Sequence, residues 1–189
     1  PPPISSREKE LLSFAVEQRQ PLMEMTTALR LVNGGGDQLP GWTLDQFGEL
    51  YQLQFFSERE WERRAAWAEA VVHLLNPRGV VLKNRTAADG ASLDRFQPEW
   101  WKSDSVQKGK TIVREGRARF AVDLNDGVNP GLFLDMRHHR LRFAEEMKGR
   151  RLLNPFAYTG SFGVHSLLAG AANAIQVDYS QKILDRARL

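Results

Sequence analysis

The stretch Leu152-Leu153-Asn154-Pro155-Phe156-Ala157-Tyr158-Thr159-Gly160-Ser161-Phe162-Gly163 restricts the chain to few folds. A short apolar run, 151–154, enters a turn that holds two glycines, and a helical pattern over 162–169 follows. A second apolar run, 174–177, ends in Asp178, and Ser180 stands where it can cap a further helix over 181–189. Strand, loop, helix, strand, helix is the opening of a doubly wound α/β sheet. In that architecture ligands sit beyond the carboxyl ends of the strands. Small residues let a ligand approach the backbone, and the helix N-terminus offers free N–H groups. Asp178 comes 18 residues after Gly160, where a carboxylate can accept hydrogen bonds from two ribose hydroxyls. A strand-end Asp also caps helices, so both roles stay open at this point. The turn is not Gly-x-Gly-x-x-Gly, which counts against a nicotinamide or flavin dinucleotide and the oxidoreductase such a cofactor would serve.

The preceding residues have a different grammar. Ser5-x-x-Glu8 is a capping-box pattern, and Leu11, Leu12, Ala15 and Val16 predict a helix to about Gln20, ended by Pro21. Asn33-Gly34-Gly35-Gly36-Asp37 reads as a turn closed by Pro40-Gly41. Residues 43–47 and 50–56 read as a strand pair. In the second, Tyr51, Leu53 and Phe55 alternate with Gln52 and Gln54, which predicts one buried and one wet face. Ser57-x-x-Glu60 starts a helix over 58–75, with Trp61, Ala65, Ala68, Val72 and Leu75 on one face and Asn76-Pro77-Arg78-Gly79 as its stop. Residues 80–82 form a short strand, 84–110 read as irregular, and 112–113 with 120–124 read as a hairpin turning at Glu115-Gly116. Asp135 is expected to cap a helix over 136–148, with Leu141, Ala144 and Met147 inward and Gly149 as its stop. The expected organisation is a small α+β domain over 1–125. The first part of a Rossmann-like α/β domain follows over 126–189, stopping after the second core strand where such a sheet needs about five.

Charge and composition narrow the function. The 189 residues carry 26 Lys+Arg and 23 Asp+Glu, a formal +3. Residues 61–120 hold 12 basic and 7 acidic side chains, net +5, against net −4 over 1–60. Arg78, Lys83, Arg85, Lys102, Lys108 and Lys110 in this basic third are the candidate RNA-phosphate contacts, with a solvated surface as the bland alternative. Trp100-Trp101 beside Lys102 could stack on a base, though a core anchor is the plainer role. There is no cysteine, so these residues hold no disulfide, thiolate ligand or cysteine nucleophile. The four histidines lack metal-sharing spacing, and no metal is expected. No run of about 18 apolar residues and no signal-peptide core is present, so no membrane contact and a cytoplasmic location are expected.

Three ordered motifs carry a resemblance. Asn154-x-Phe156-x-Tyr158-Thr159-Gly160-x-Phe162, followed by small residues and Val177-Asp178-x-Ser180, resembles the S-adenosylmethionine motif of the ribosomal RNA large-subunit methyltransferase I family. Arg30-Leu31-Val32-Asn33-Gly34-x-x-Asp37-x-Leu39-Pro40-Gly41-x-x-x-Asp45-x-x-Gly48 is similar to the start of that family's middle domain. Gly131-Leu132-Phe133-Leu134-Asp135-Met136-Arg137-x-x-Arg140 is similar to a third shared segment. The resemblance implies an α+β domain in contact with RNA, then a class I methyltransferase domain. It implies that Asn154, Phe156, Tyr158, Thr159 and Gly160 line the methionine end of S-adenosyl-L-methionine, and that Asp178 binds its ribose. It also implies that Asp135, Arg137 and Arg140 lie beside the cofactor, Arg137 suiting the methionine carboxylate. For Arg137 and Arg140 the alternative is a surface ion pair with Glu145 or its neighbours. Gly35, Met136 and Pro155 depart from the family's usual Glu, Gln and Cys.

The function this implies is an S-adenosylmethionine-dependent RNA base methyltransferase acting on ribosomal RNA, with a homodimer as a further implied partner. The family's Asp-Pro-Pro segment and catalytic cysteine do not occur here, so no catalytic residue is named and the chain is expected to be a truncated form. The alternative is a non-catalytic RNA-binding or self-association module, in which an incomplete sheet offers its open edge to another chain.

Overall fold

The computed structural model describes residues 2–86, 97–103, 109–126 and 129–187. Helix α1 (Ser6–Arg19) begins at a complete capping box: the Ser5 hydroxyl accepts from the Glu8 amide, and the Glu8 carboxylate accepts from the Ser5 amide at 2.7 Å. A 3-10 turn over Gln20–Glu24, with Pro21 near its start, leads to strand β1 (Ala28–Asn33). Strands β2 (Trp42–Phe47) and β3 (Leu50–Phe55) follow, then helices α2 (Glu58–Glu62) and α3 (Arg64–Leu75), strand β4 (Gly79–Asn84) and strand β5 (Glu99–Ser103).

The five strands form one sheet in chain order. All neighbours are antiparallel except β3 and β4, which the α2–α3 crossover makes parallel. One face of the sheet is covered by helices. Leu31, Leu44, Trp42, Leu53, Phe55, Val80 and Leu82 meet Leu12, Val16, Trp67 and Val71 there. The Trp42 and Trp67 rings lie 4.4 Å apart at the centre of this layer. The other face carries Ala28, Phe47 and Val81, covered by the hairpin β6 (Lys110–Glu115) and β7 (Ala118–Asp123) through Val113, Phe120 and Val122. The same face also carries Arg30, Asp45, Gln52, Gln54 and Lys83, the alternate residues of the same strands.

After β7 come a 3-10 turn (Leu134–Met136) and helices and strands in α/β order: α4 (Arg137–Glu146), β8 (Arg151–Pro155), α5 (Ser161–Leu168), β9 (Asn173–Val177) and α6 (Gln181–Ala187). Strands β8 and β9 pair in parallel across the α5 crossover. No helix among the described residues is long and apolar enough to cross a membrane.

Several expectations are corrected. Strand β1 forms where the sequence pattern predicts no element, and β5 lies in a stretch expected to be irregular. Both are held by pairing with distant strands rather than by a local signal. Trp100, on β5, donates through Nε1 to Asn125 at 3.0 Å and packs against the hairpin layer. Gln52 and Gln54 are 1% and 7% exposed rather than wet, because the chain beyond Asn129 roofs their face. The helix over 58–75 is two helices that meet at Arg63. That guanidinium turns inward to the carboxylates of Glu60 and Glu8, with Nη2 to Glu8 at 2.8 Å, while Trp67 donates to Glu60 at 2.7 Å. Asp135 caps nothing. The 3-10 turn runs straight into α4, so Met136 takes the cap position.

The Arg63 hydrogen bond is the main reason the Glu8 carboxyl falls to about 2. A depressed folded value means the pair contributes stability above the ordinary carboxyl range and loses it as pH falls toward 2. Urea titrations of wild type and Glu8→Gln are therefore expected to differ most at neutral pH. The gap is expected to close between about pH 4.5 and pH 2; a gap independent of pH would contradict the assignment.

Candidate functional site

Strand β8 delivers the chain to a tight loop, 156–160. Two of its residues are aromatic and lie in the left-handed region, Phe156 at φ 62° and Tyr158 at φ 52°. Side chains with a bulky Cβ adopt this region at a cost of roughly 1–2 kcal/mol each. Strain of this kind persists only where surrounding contacts dictate it, and it gathers at ligand sites.

Those contacts are explicit. The Tyr158 amide donates to Asp178 at 2.9 Å, its hydroxyl donates to the Asn129 carbonyl at 3.0 Å, and the Thr159 hydroxyl donates to the Gly131 carbonyl at 2.6 Å. Gly160, also left-handed at φ 76°, turns the chain into α5, and the Val164 amide bonds back to its carbonyl at 3.0 Å. The amide of Gln176, on β9, takes a bond from Asn154 at 2.7 Å and gives one to the Gly160 carbonyl. It fills the space beside Gly163, where any Cβ would overlap it.

Asp178 stands at the end of β9. Its two oxygens accept from the Ser180 and Tyr158 amides, and these bonds, Ser180 first, hold its carboxyl below the ordinary value. A carboxylate has about four acceptor positions, so beyond the Ser180, Tyr158 and Tyr179 amides it keeps acceptor capacity for a hydroxyl. Phe156, in the loop that Asp178 holds, and Tyr179, next to Asp178 in sequence, are 87% and 97% exposed. Open aromatic faces of that size suit a flat heterocycle.

The loop's outer wall is the segment 129–138. Phe133 packs against Tyr158 with ring centroids 5.0 Å apart. This segment is fixed from below by Arg140. Its guanidinium is 1% exposed, donates twice to Glu115 at 2.8 and 2.7 Å, and donates to the Phe133 carbonyl at 2.8 Å. His165 of α5 reaches the same Glu115 carboxylate at 3.0 Å. Burial alone would raise Glu115, but the bonds from His165 and Arg140 outweigh it and hold the carboxyl low.

The structure thus brings Asn154, Tyr158, Thr159, Gly160 and Asp178 into one cluster, with Phe156 projecting from it. Asp135 and Arg137 line a neighbouring cleft instead. Arg140 is neither free nor on the surface: its partner is the buried Glu115, not Glu145. Arg137 is 7% exposed and its Nε has no hydrogen-bond partner among the described residues. A buried polar group left in this state costs about 1–3 kcal/mol.

The candidate RNA contacts scatter. Lys83 is fully buried, donates to the Asp126 carbonyl at 2.9 Å and is pushed down to about 8 by burial, with Arg85 adding repulsion; it cannot meet a phosphate at the surface. Arg78 is exposed but pairs with Glu49 at 2.8 Å. Arg85 is half-buried beyond the end of β4, Lys102 pairs across from Val80 at its start, and Lys110 is exposed at the start of β6. Lys108 lies outside the described residues. Sequence reading missed Tyr179, Gln176, Asn129 and Gln52; only the position of Tyr179, next to the strand-end Asp, carried a signal that could have found it.

The model of the S-adenosylmethionine-dependent methyltransferase family matches residues 47–189. The chain belongs to this family. Curated relatives agree. A candidate ribosomal RNA large subunit methyltransferase of Bacillus subtilis (strain 168), YwbD, is 32% identical over 92% of this chain and 44% of its own length. The ribosomal RNA large subunit methyltransferase I of Aeromonas salmonicida (strain A449) is 29% identical over 94% of this chain and 45% of its own. The chain therefore spans less than half the length of these relatives. Among solved structures, a candidate SAM-dependent methyltransferase from Streptococcus mutans superposes over 100% of this chain and 49% of its own with TM-score 0.85 at 23% identity. The M. jannaschii tRNA m1G37 methyltransferase superposes with TM-score 0.59 at 16% identity over 95% of this chain and 47% of its own. These likenesses show the fold, an α+β unit leading into a Rossmann-like methyltransferase unit.

Replacing Asp178 with Ala removes the carboxylate oxygen that accepts from the Tyr158 amide and holds the loop. Hydrogen exchange is expected to show faster exchange at the Tyr158 amide and no change at Val164, whose bond is within the helix. Equal protection at Tyr158 in the variant would mean that the loop is held without Asp178.

Proposed function

We propose that this chain carries the S-adenosyl-L-methionine site of a methyltransferase that modifies a base of large-subunit ribosomal RNA. One observation supports this most: the strained loop after β8 faces a strand-end carboxylate that keeps acceptor capacity in the open. In this reading Asp178 accepts from the ribose, and Phe156 and Tyr179 flank the adenine. Asn154 and the Tyr158–Gly160 turn border the methionine end. When bound, the cofactor supplies a sulfonium methyl group for direct displacement by the acceptor atom. The chain's own part is orientation, since a reacting pair held in line gains much of its rate from lost freedom already surrendered on binding. The RNA acceptor rests on the printed names of the relatives and on the net positive charge of residues 61–120. Residues up to about 125 are taken as the part that meets RNA, and 126–189 as the part that meets the cofactor.

Calorimetric titration of S-adenosylhomocysteine into the chain tests the cofactor site. Micromolar binding is expected, weakened by roughly tenfold or more in Asp178→Ala, because each charged hydrogen bond lost is of that order. Undiminished affinity in a folded Asp178→Ala protein would move the ribose elsewhere.

A further inference from the structure

A cavity of about 680 Å³ lies between the polar half of the sheet's second face and the segment 129–138. Its size is that of a small-molecule site. Its lining contains neither the 156–160 loop nor Asp178, yet it adjoins them: Phe133 in its wall packs on Tyr158, and Asn129 in its wall accepts from the Tyr158 hydroxyl.

Most polar groups around the cavity are matched. Arg30 makes two bonds to Asp45, Gln54 adds a third to the same carboxylate, and Arg19 pairs with Asp37 through two bonds. Two buried polar atoms of the lining have no hydrogen-bond partner among the described residues: Oε1 of Gln52, which is 1% exposed, and Nε of Arg137, which is 7% exposed. The cavity therefore keeps one acceptor and one donor in reserve, beside the apolar walls of Leu29, Phe47 and Leu132. The lining disfavours an anion: Arg19 and Arg30 are already neutralised by carboxylates, and the Asp135 carboxylate stands in the same wall as the charge of Arg137. A flat, neutral group with an N–H next to an acceptor fits the two spare positions. Every nucleobase presents that pair on its Watson–Crick edge.

We propose that this cavity holds one unstacked RNA base, with the Gln52 carbonyl accepting from the base N–H and Arg137 Nε–H donating to the adjacent acceptor. Phe133, 41% exposed, supplies the stacking face. The proposal rests on the RNA methyltransferase reading and deepens it, since a base seated here lies alongside the loop assigned to the cofactor. It also moves Arg137 from the methionine carboxylate to the acceptor.

The test uses fluorescence anisotropy of the chain with labelled single-stranded RNA decamers and with an abasic decamer of equal charge. S-adenosylhomocysteine calorimetry runs in parallel. Wild type is expected to prefer the base-bearing strands by roughly tenfold or more. Gln52→Leu and Arg137→Lys are expected to shrink that preference and leave S-adenosylhomocysteine affinity unchanged. Gln52→Leu removes an unpaired buried acceptor, so its Tm is expected not to fall; this separates loss of recognition from loss of fold. Equal affinity of wild type for abasic and base-bearing strands, or no RNA binding at all, overturns the proposal. So does an Arg137→Lys variant that loses S-adenosylhomocysteine and keeps its base preference. A folded wild type that binds no S-adenosylhomocysteine counts against the proposed function instead, and the comparison with the abasic strand still decides the cavity.

Discussion

A single buried carboxylate, Glu115, holds the site together. It ends the β6 strand with no exposed surface, and it accepts from Arg140 on α4 and contacts His165 on α5. Its backbone also bridges to Thr26, just ahead of β1. The hairpin, the sheet and the two helices that flank the loop are thus fixed to one anion. Removing one partner from such a group strands the others, at a cost of about 3–5 kcal/mol. The spare Arg140 nitrogen bonds the Phe133 carbonyl, so the same residue that balances the charge also places the wall of the cleft.

What the sequence made legible was local. The Ser5–Glu8 capping box follows from side chains acting on nearby backbone, and the stop at Asn76 and the turn at Gly160 follow from residue types that accept the left-handed backbone found there. The strand-to-Asp178 spacing was readable for the same reason, because a parallel α/β unit fixes both ends of its crossover. What escaped was decided by distant contacts. Gln52 and Gln54 alternate like surface residues, and only the roof over 129–138 buries them. Lys83 looked like a free cation in a basic segment, yet its strand runs through the middle of the sheet. Arg140, expected beside the cofactor or else in a surface ion pair, binds instead the Glu115 that the hairpin places beneath it.

The sheet's second face is divided. Where Ala28, Phe47 and Val81 meet the hairpin it behaves as core. Where Arg30, Asp45 and Gln52 stand it is polar, and the cleft opens there. A sheet that is apolar on both faces would have closed on its cover. This mixed composition keeps a gap next to a loop whose two aromatic residues are already held in a costly backbone conformation.

The Glu115 junction also bears on the order of folding. It joins residues 25 and 50 positions apart in sequence, and the neighbouring Arg114 amide bonds to the Thr27 side chain across 87. Contacts of such long range form late, because loop closure must precede them. The cleft is therefore assembled only when the first strand, the hairpin and both helices have come together. Ligand capture in the cleft then reports on the completion of that assembly.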